Sequence, residues 1–495
     1  MKLKDVLRDV PVLGTQGNPD AEISAVTSDS RLAARGSLFV AIPGTKEDGS
    51  KYIDSAVAKG AVAIVAGTPL AARRSPLAIV QVADPRAALA LIAANFYGRP
   101  AGKLSLVGVT GTSGKTTTTK MIESVFDAGG EPVGLIGTIE YRAGDERLMA
   151  DRTTPDAVVL QQWFAKMVEA GVTHAVMEVS SHALALKRTY GVRFAAAVFT
   201  NLSHDHLDFH KDFEDYFQAK RTLFFQISSP DRAVINADDE YGRRLVREIG
   251  GKPLTFGFRE GDIRPANDFE ISTRGLRGTL HTPAGAVRVD SALLGRPNLA
   301  NWMAAAGAAI VVGIDPRQIE AGIRNLKSVR GRFEYVESRG GPTVIVDYAH
   351  KPDALEKLLH AVRDLAGGKR VVVLFGCGGD RDKEKRPKMG AIATKLADFT
   401  ILTSDNPRSE KPETILDEIE RGAKSGGGRY ARIADRREAI ARAIDGASDD
   451  DVIVIAGKGH EPYQVIGDQI IHFDDREEAE IALKKRNEKA MTKSV

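Results

Sequence analysis

The 495-residue chain has one cysteine, Cys377. A lone thiol can form neither an intrachain disulfide nor a cysteine-based zinc site, and it fits a reducing compartment. Charge of one sign is also missing. Lys and Arg total 69 against 66 Asp and Glu, for a net charge of +3, and the signs are interleaved, so no electrostatic footprint for nucleic acid or anionic membrane is present. Met1–Val10 has no long apolar core and reads as a short amphipathic helix, which excludes a secretory signal or membrane anchor. Neither a solenoid-length repeat nor sustained heptads occur, so a monomer is expected, with a frayed polar tail after Lys484. These absences describe a soluble, cytoplasmic protein whose partners are small molecules.

The length exceeds what one hydrophobic core supports. Three α/β domains are expected: a small one over residues 1–100, a central P-loop parallel-sheet domain over 101–331, and a Rossmann-like doubly wound domain over 332–495. In the first, Ile23–Val26, Ser37–Ile42 and Ala61–Val65 read as strands, with helices over Tyr52–Lys59 and Arg86–Tyr97. Gly98-Arg-Pro-Ala-Gly102 follows, suiting a hinge rather than a core element. The apolar runs Thr173–Glu178 and Ala195–Thr200, then Arg370–Phe375, Phe399–Thr403 and Val452–Ile455, have the composition of parallel strands buried on both faces. Ligands of such sheets sit beyond the carboxyl ends of the strands.

The strongest strand tip is Leu104–Thr110 emptying into Gly111-Thr112-Ser113-Gly114-Lys115-Thr116-Thr117. Glycines let backbone N–H groups close around phosphate oxygens, Lys115 adds a point charge, Thr116 reaches magnesium, and the following helix directs its positive end at the anion. ATP or GTP is the natural occupant. The motif is a shortened variant, with Val109 where the longer form carries its first glycine. Strand Val176–Glu178 ends in a carboxylate, making Glu178 the first expected metal ligand. The next tip carries Ser203-His-Asp-His-Leu-Asp-Phe-His210, from which His206 is the expected second. Polar loops also collect His and Asp without any metal, and oxygen suits magnesium better than imidazole. Lys220, on the amphipathic helix Tyr216–Phe225, reads from its residues alone as a solvated helix lysine. The amides of Asn298 and Asn301 serve equally to read a base edge or to cap a helix.

In the last segment four strand-tip loops carry chemistry: Asp347-Tyr-Ala-His350, Gly376-Cys-Gly-Gly-Asp-Arg-Asp382, Asp405-Asn-Pro-Arg408 and Gly457-Lys-Gly-His-Glu461. Guanidinium forks grip carboxylates while carboxylates hold an ammonium group, so the set suits an amino acid with more than one charged end.

Taken in order, GTSGKTT, MEVSSHAL, NLSHDHLDFH, DYAH-x-PDAL, GCGGDRDK, DNPR and GKGHE resemble the Mur ligases over nearly the whole chain. The resemblance implies an ATP- and magnesium-dependent, amide-forming ligase of peptidoglycan precursor synthesis. It would add meso-2,6-diaminopimelate to the D-Glu γ-carboxylate of UDP-N-acetylmuramoyl-L-Ala-D-Glu through an acyl phosphate. The same reaction with L-lysine or another diamino acid is the alternative, a folylpolyglutamate-type synthetase is a more distant rival, and a nucleotide-binding scaffold without turnover is the reading from a different class.

By matching position, the resemblance assigns catalysis to Lys115, Glu178, His206 and Lys220, the last as a carbamate that joins Thr116, Glu178 and His206 around metal. It assigns ATP to Gly111 through Thr117, with Asn301 near the adenine, Arg332 at the phosphates, Asp347 at the ribose and His350 nearby. The UDP end falls to Ser28, Ser30, Thr45, Lys46 and Glu47, and the sugar-peptide end to Arg152, Thr153, Thr154, Ser180 and Arg188. Diaminopimelate falls to Arg381, Asp405, Asn406, Pro407, Arg408, Gly457 and Glu461. Arg152 stands where a relative has asparagine, and Leu186 where glutamine would touch substrate.

Overall fold

Short runs of Val, Ile, Leu and Ala pair in parallel, and the helices between them cover both faces of the resulting sheets. The computed structural model describes residues 1–44, 47–67, 77–337 and 340–493. Contacts divide the chain into two units, Met1–Asp262 with Ala304–Gln318, and Ile263–Met303 with Ile319–Val495.

The first unit holds two sheets. One has five strands in the order Val12–Gln16, Ala78–Val82, Ala63–Ala66, Ser37–Ala41, Ala25–Thr27, all parallel except the first. The other has eight strands: Leu254–Phe256, Ala233–Asn236, Ala196–Phe199, Ser105–Thr110, His174–Glu178, Val133–Ile136, Glu140–Ala143 and Glu146–Met149. Its first six are parallel, and the last two form an antiparallel edge. Ser105–Thr110 lies between His174–Glu178 and Ala196–Phe199, so its loop opens where crossovers depart to opposite sides.

The second unit holds a six-stranded sheet in the order Glu334–Val336, Thr343–Asp347, Val452–Ala456, Val371–Phe375, Phe399–Leu402, Tyr430–Arg432. Only the first strand is antiparallel, so the tips of the others share one edge. Ile345, Val373, Leu402 and Val454 face one core; Val344, Val372, Ile401 and Ile453 face the other.

Four expectations need correction. The N-terminal helix is a single turn, Leu3–Val6, and beyond it the Asn95 side chain donates to Val6 O (2.9 Å) and Arg8 O (2.6 Å). Gly98–Gly102 is no simple hinge: Arg99 takes a left-handed conformation, and the 3-10 turn Pro100–Lys103 then buries Pro100 and Ala101, the latter in the core of the eight-stranded sheet. The tail after Lys484 continues the helix Asp475–Lys493, where Arg486 Nη1 donates to the carbonyls of Ile444 and Ala447. Residues 264–291, read as part of a strand-helix alternation, instead form a small antiparallel sheet of Arg264–Pro265, Glu270–Ser272, Gly275–Thr282 and Gly285–Ser291. Val287, Val289 and Ser291 alternate inward, which is a strand period rather than a helical one. Among the described residues no helix is long and apolar enough to cross a membrane.

Candidate functional site

Strand Ser105–Thr110 ends at Gly111 (φ +149°) and reaches helix Lys115–Asp127 through Gly114 (φ +86°). A Cβ at Gly111 would lie 1.9 Å from Thr200 Oγ1. The loop therefore lies against the neighbouring strand tip, where Thr200 Oγ1 donates to Ser113 O (2.7 Å) and Ser113 N–H to Asn201 Oδ1 (3.0 Å). Helix Lys115–Asp127 starts at Gly114 with no side-chain N-cap, the kind of helix start that binds an anion.

Two lysines meet at this loop. Lys115 Nζ donates to Gly111 O (2.9 Å) and Thr112 O (3.0 Å), and Lys220 Nζ to the same Gly111 O (2.7 Å). Lys220 is 1% exposed, so its reading as a solvated lysine fails. The helix Phe213–Arg221 turns that side chain inward and lays it over the Tyr216 ring, 4.4 Å away. Burial pushes the ammonium well below the usual lysine range, Lys115 adds to the fall, and Asp205 opposes it. A neutral amine is the form that adds CO2, and burial shifts Lys220 toward that form.

Glu178, 1% exposed at the tip of His174–Glu178, accepts from Thr116 Oγ1 (3.0 Å), Thr138 Oγ1 (3.1 Å) and Thr138 N–H (2.7 Å). Thr138, absent from the sequence-derived set, extends this to Thr153 by a hydroxyl contact of 3.0 Å. Thr154 Oγ1 lies 2.8 Å from Glu178 O and accepts from Ser180 N–H (3.1 Å), while Arg188 Nη1 donates to Thr154 O (2.7 Å). The residues expected at phosphate and metal are thus joined directly to those expected at the sugar-peptide. Among the described residues no group of three or more His, Cys, Asp or Glu is placed to hold a metal. Thr116 and Glu178 nevertheless suit magnesium, which takes few protein ligands and completes its shell with water and phosphate.

His206 (φ +56°) lies in a ring cluster: its ring is 4.8 Å from His182, which in turn is 4.1 Å from Phe209 and 5.8 Å from His210. Burial lowers the pKa of His182, and the nearby His210 adds to this. Arg152 is exposed, and its carbonyl accepts from the Tyr141 hydroxyl (2.5 Å). Half-buried Leu186 ends the short helix Ser181–Ala185, and nothing in the structure explains its replacing glutamine. At the five-stranded sheet, Ser28 is exposed, Ser30 is buried with its carbonyl accepting from Lys59 Nζ (3.0 Å), and Glu47 accepts from the Tyr52 hydroxyl. Thr45 and Lys46 lie outside the described residues.

In the second unit, Asp347 accepts from the backbone N–H groups of Phe333 (2.7 Å) and Ala349 (2.8 Å). Burial raises its pKa, and the Arg332 guanidinium opposes the rise. Arg332 lies 4.8 Å over the Tyr348 ring, with its buried Nε unpartnered. His350 Nδ1 is 2.9 Å from Tyr348 O, and burial pushes its pKa down to about 4. Asn301 Nδ2 reaches Asn298 Oδ1 (3.4 Å) inside helix Gly295–Val311.

The neighbouring loops form a second network. Asn406 Nδ2 donates to Glu461 Oε2 (3.0 Å), and Asn406 Oδ1 accepts from Lys458 Nζ (3.2 Å) and Val465 N–H (3.0 Å). Lys458, 0% exposed within the Gly457–Glu461 loop, joins this network although no local pattern in the sequence marks it for this role. Arg408 (φ +52°) donates from Nη1 to Gly379 O (2.8 Å), and its backbone pairs with the hairpin Tyr463–Ile466 and Gln469–His472. Glycine is required opposite it, since a Cβ at Gly379 would lie 1.9 Å from Pro407 O. A Cβ at Gly378 would lie 2.8 Å from Arg408 Nη1 and 3.7 Å from Arg381 Cγ, so both arginines flank that position.

Three family models cover successive parts of the chain: the Mur ligase family catalytic domain at residues 22–97, the Mur ligase middle domain at 109–309, and the Mur ligase glutamate ligase domain at 331–459. A protein of Gloeobacter violaceus named UDP-N-acetylmuramoyl-L-alanyl-D-glutamate--2,6-diaminopimelate ligase is 48% identical over 96% of each chain. The chain belongs to the Mur ligase family. The Geobacillus kaustophilus protein of the same name is 44% identical to this Mur ligase over 98% of its chain and 100% of the relative. A solved structure of a ligase with that name superposes with a TM-score of 0.71 at 31% identity, covering 98% and 99% of the two chains.

Proposed function

We infer that this Mur ligase uses ATP to join meso-2,6-diaminopimelate to the D-Glu γ-carboxylate of UDP-N-acetylmuramoyl-L-Ala-D-Glu, a cytoplasmic step in making peptidoglycan precursor, and that it acts as a monomer. Relatives of that name support the reaction. The observation that carries it is the hydrogen-bonded path from Thr116 through Glu178 and Thr138 to Thr153, with Thr154, Ser180 and Arg188 against the same strand tip. It sets a phosphate cradle beside an acceptor-holding edge, as phosphorylation of a carboxylate demands.

A γ-carboxylate oxygen attacks the γ-phosphorus of ATP, the bond to the β-phosphate oxygen breaks, and ADP and an acyl phosphate result. The amine of diaminopimelate, having given its ammonium proton to solvent, then adds to the acyl carbon; the adduct gives up a second proton from nitrogen, and as the tetrahedral intermediate collapses the carbon–oxygen bond to phosphate breaks and inorganic phosphate leaves. The Gly111–Thr117 amides and Lys115 hold the phosphates, and Arg332 neutralises charge on the transferring group. Magnesium, held by Thr116 and Glu178 with His206 and carbamylated Lys220 in its surroundings, would supply further neutralisation of that charge. Asp347 and Asn301 take the ribose and adenine, with His350 nearby. The loop Thr27–Arg31 and Glu47 take the UDP end, with Arg152 and Arg188 toward the sugar-peptide.

Diaminopimelate differs from lysine by a second carboxylate, and Arg381 and Arg408 supply guanidinium forks for it. Asp405 and Glu461 supply the carboxylates an ammonium needs, with Asn406, Pro407 and Gly457 shaping the loops. The test is phosphate release and product mass with ATP, magnesium and UDP-N-acetylmuramoyl-L-Ala-D-Glu, adding meso-diaminopimelate, lysine or neither. A tripeptide product only with diaminopimelate is expected; a lysine product would move the specificity, and no product with either would refute the function.

A further inference from the structure

Arg436 opens helix Arg436–Asp445, 28 residues after Arg408 and 21 before Gly457, and no motif marks it. Each of its three nitrogens nonetheless donates beneath the loops that carry them. Nε and Nη2 donate to Asp475 Oδ1 and Oδ2, both at 2.7 Å; Nη2 also donates to Ala456 O (2.9 Å) and Nη1 to Ser404 O (3.2 Å). Ser404 immediately precedes Asp405, and Ala456 immediately precedes Gly457. The strands leading to these residues, Phe399–Leu402 and Val452–Ala456, are not ladder neighbours, because Val371–Phe375 lies between them. Backbone pairing therefore leaves the spacing of their tips to be set through a third strand. Arg436 spans the gap with one rigid, planar group. The gap is narrow: a Cβ at Gly457 would lie 3.0 Å from Asp405 Oδ2.

Arg436 and Asp475 are 2% and 0% exposed. An ion pair so buried often contributes little net stability compared with an apolar replacement, so stability alone is a poor account of it. We propose that Arg436, oriented by Asp475, is a positioning residue that sets the separation of the Asp405–Arg408 and Gly457–Glu461 loops and so matches the acceptor site to the length of its diamino acid. This deepens the diaminopimelate-site reading and rests on it.

The test measures ADP release for Arg436→Lys and Asp475→Asn with each substrate varied in turn, alongside thermal melts. Arg436→Lys keeps the charge and loses the fork; Asp475→Asn keeps the shape and loses the anion. The KM for meso-diaminopimelate is expected to rise about tenfold or more, while the KM values for ATP and the UDP-linked substrate stay within about twofold. Discrimination against a diamino dicarboxylate one methylene longer should narrow by a similar factor, which general destabilisation would not cause. Arg408→Ala serves as the control. If it leaves the diaminopimelate KM unchanged, the site reading itself is wrong. If it raises that KM while folded Arg436→Lys and Asp475→Asn do not, the positioning role is overturned. Equal losses for all three substrates, or failure of both variants to fold, would overturn it too and make the pair a support of the sheet.

Discussion

Lys220 shows how far one residue's surroundings change its chemistry. On a helix wheel it is a charged group facing water; in the fold it is buried between the Gly111 carbonyl and the Tyr216 ring. Lys220→Ala is expected to lower turnover by roughly 10²–10³-fold, the scale of a lost electrostatic stabiliser. Bicarbonate should not restore it, because no amine remains to accept CO2, and near-normal turnover in steady-state assays would remove the lysine from the mechanism. His350 and His460 carry a prediction about stability. Burial pushes each down to about 4, whereas an unfolded histidine titrates near 6.5. Below pH 6.5 the unfolded chain binds protons that the folded protein refuses, so folding stability falls between pH 6.5 and about 4, by up to about 3 kcal/mol per histidine. Above pH 6.5 neither residue contributes a slope. Melting temperatures of His350→Gln should therefore decline less than those of the parent across that window, and parallel curves would contradict the assignment.

At the scale of elements, one design recurs: a buried parallel strand delivers a short loop whose glycines allow close approach. Gly111 combines a positive φ with a neighbour 1.9 Å from any Cβ. Gly111→Ala must therefore displace either the loop or Thr200. The 1–3 kcal/mol typical of a strained backbone position corresponds to a roughly 5- to 150-fold loss of ATP affinity. Calorimetric titration of ATP into the variant checks this, and unchanged affinity would mean that the loop is not the nucleotide cradle. The hairpin Tyr463–Ile466 and Gln469–His472 plays a comparable part for Arg408, whose N–H donates to Val465 O (3.0 Å) and whose carbonyl accepts from Gly467 N–H (2.8 Å). A loop arginine with φ +52° is thereby fixed on both sides of its Cα.

For the whole molecule, the proposed chemistry runs through two half-reactions, formation of the acyl phosphate and then its capture by an amine. In the proposed sequence the acyl phosphate forms without the amino acid but cannot advance. ADP production without diaminopimelate should therefore stop after a burst of about one equivalent per enzyme and continue only at a slow hydrolytic rate. Rapid-quench measurement tests this, and sustained ADP release without an acceptor amine would indicate uncoupled hydrolysis instead.

Much of this protein was legible in its residues. Val-, Ile- and Ala-rich runs mark parallel strands because burial on both faces tolerates little else, and residues such as Gly111, Lys115, Glu178 and Asp405 follow them because strand tips are where a doubly wound sheet is open to ligands. Periodicity and motif spacing act over a few residues, so these features survive in one dimension. The remainder depends on groups far apart in the chain. Lys220 meets Gly111 across 109 positions, and Glu178 meets Thr138 across 40. Arg436 reaches Asp475 across 39, and no local pattern records that its guanidinium joins two strands that do not pair. Hydrophobic pattern and glycine placement determined which loops exist and which strands carry them. Burial and three-dimensional packing alone decided which amine is pushed toward its neutral form, which hydroxyls gather at Glu178, and how the acceptor loops are spaced, because those outcomes depend on desolvation and on directional hydrogen bonds that exist only once the chain has closed on itself.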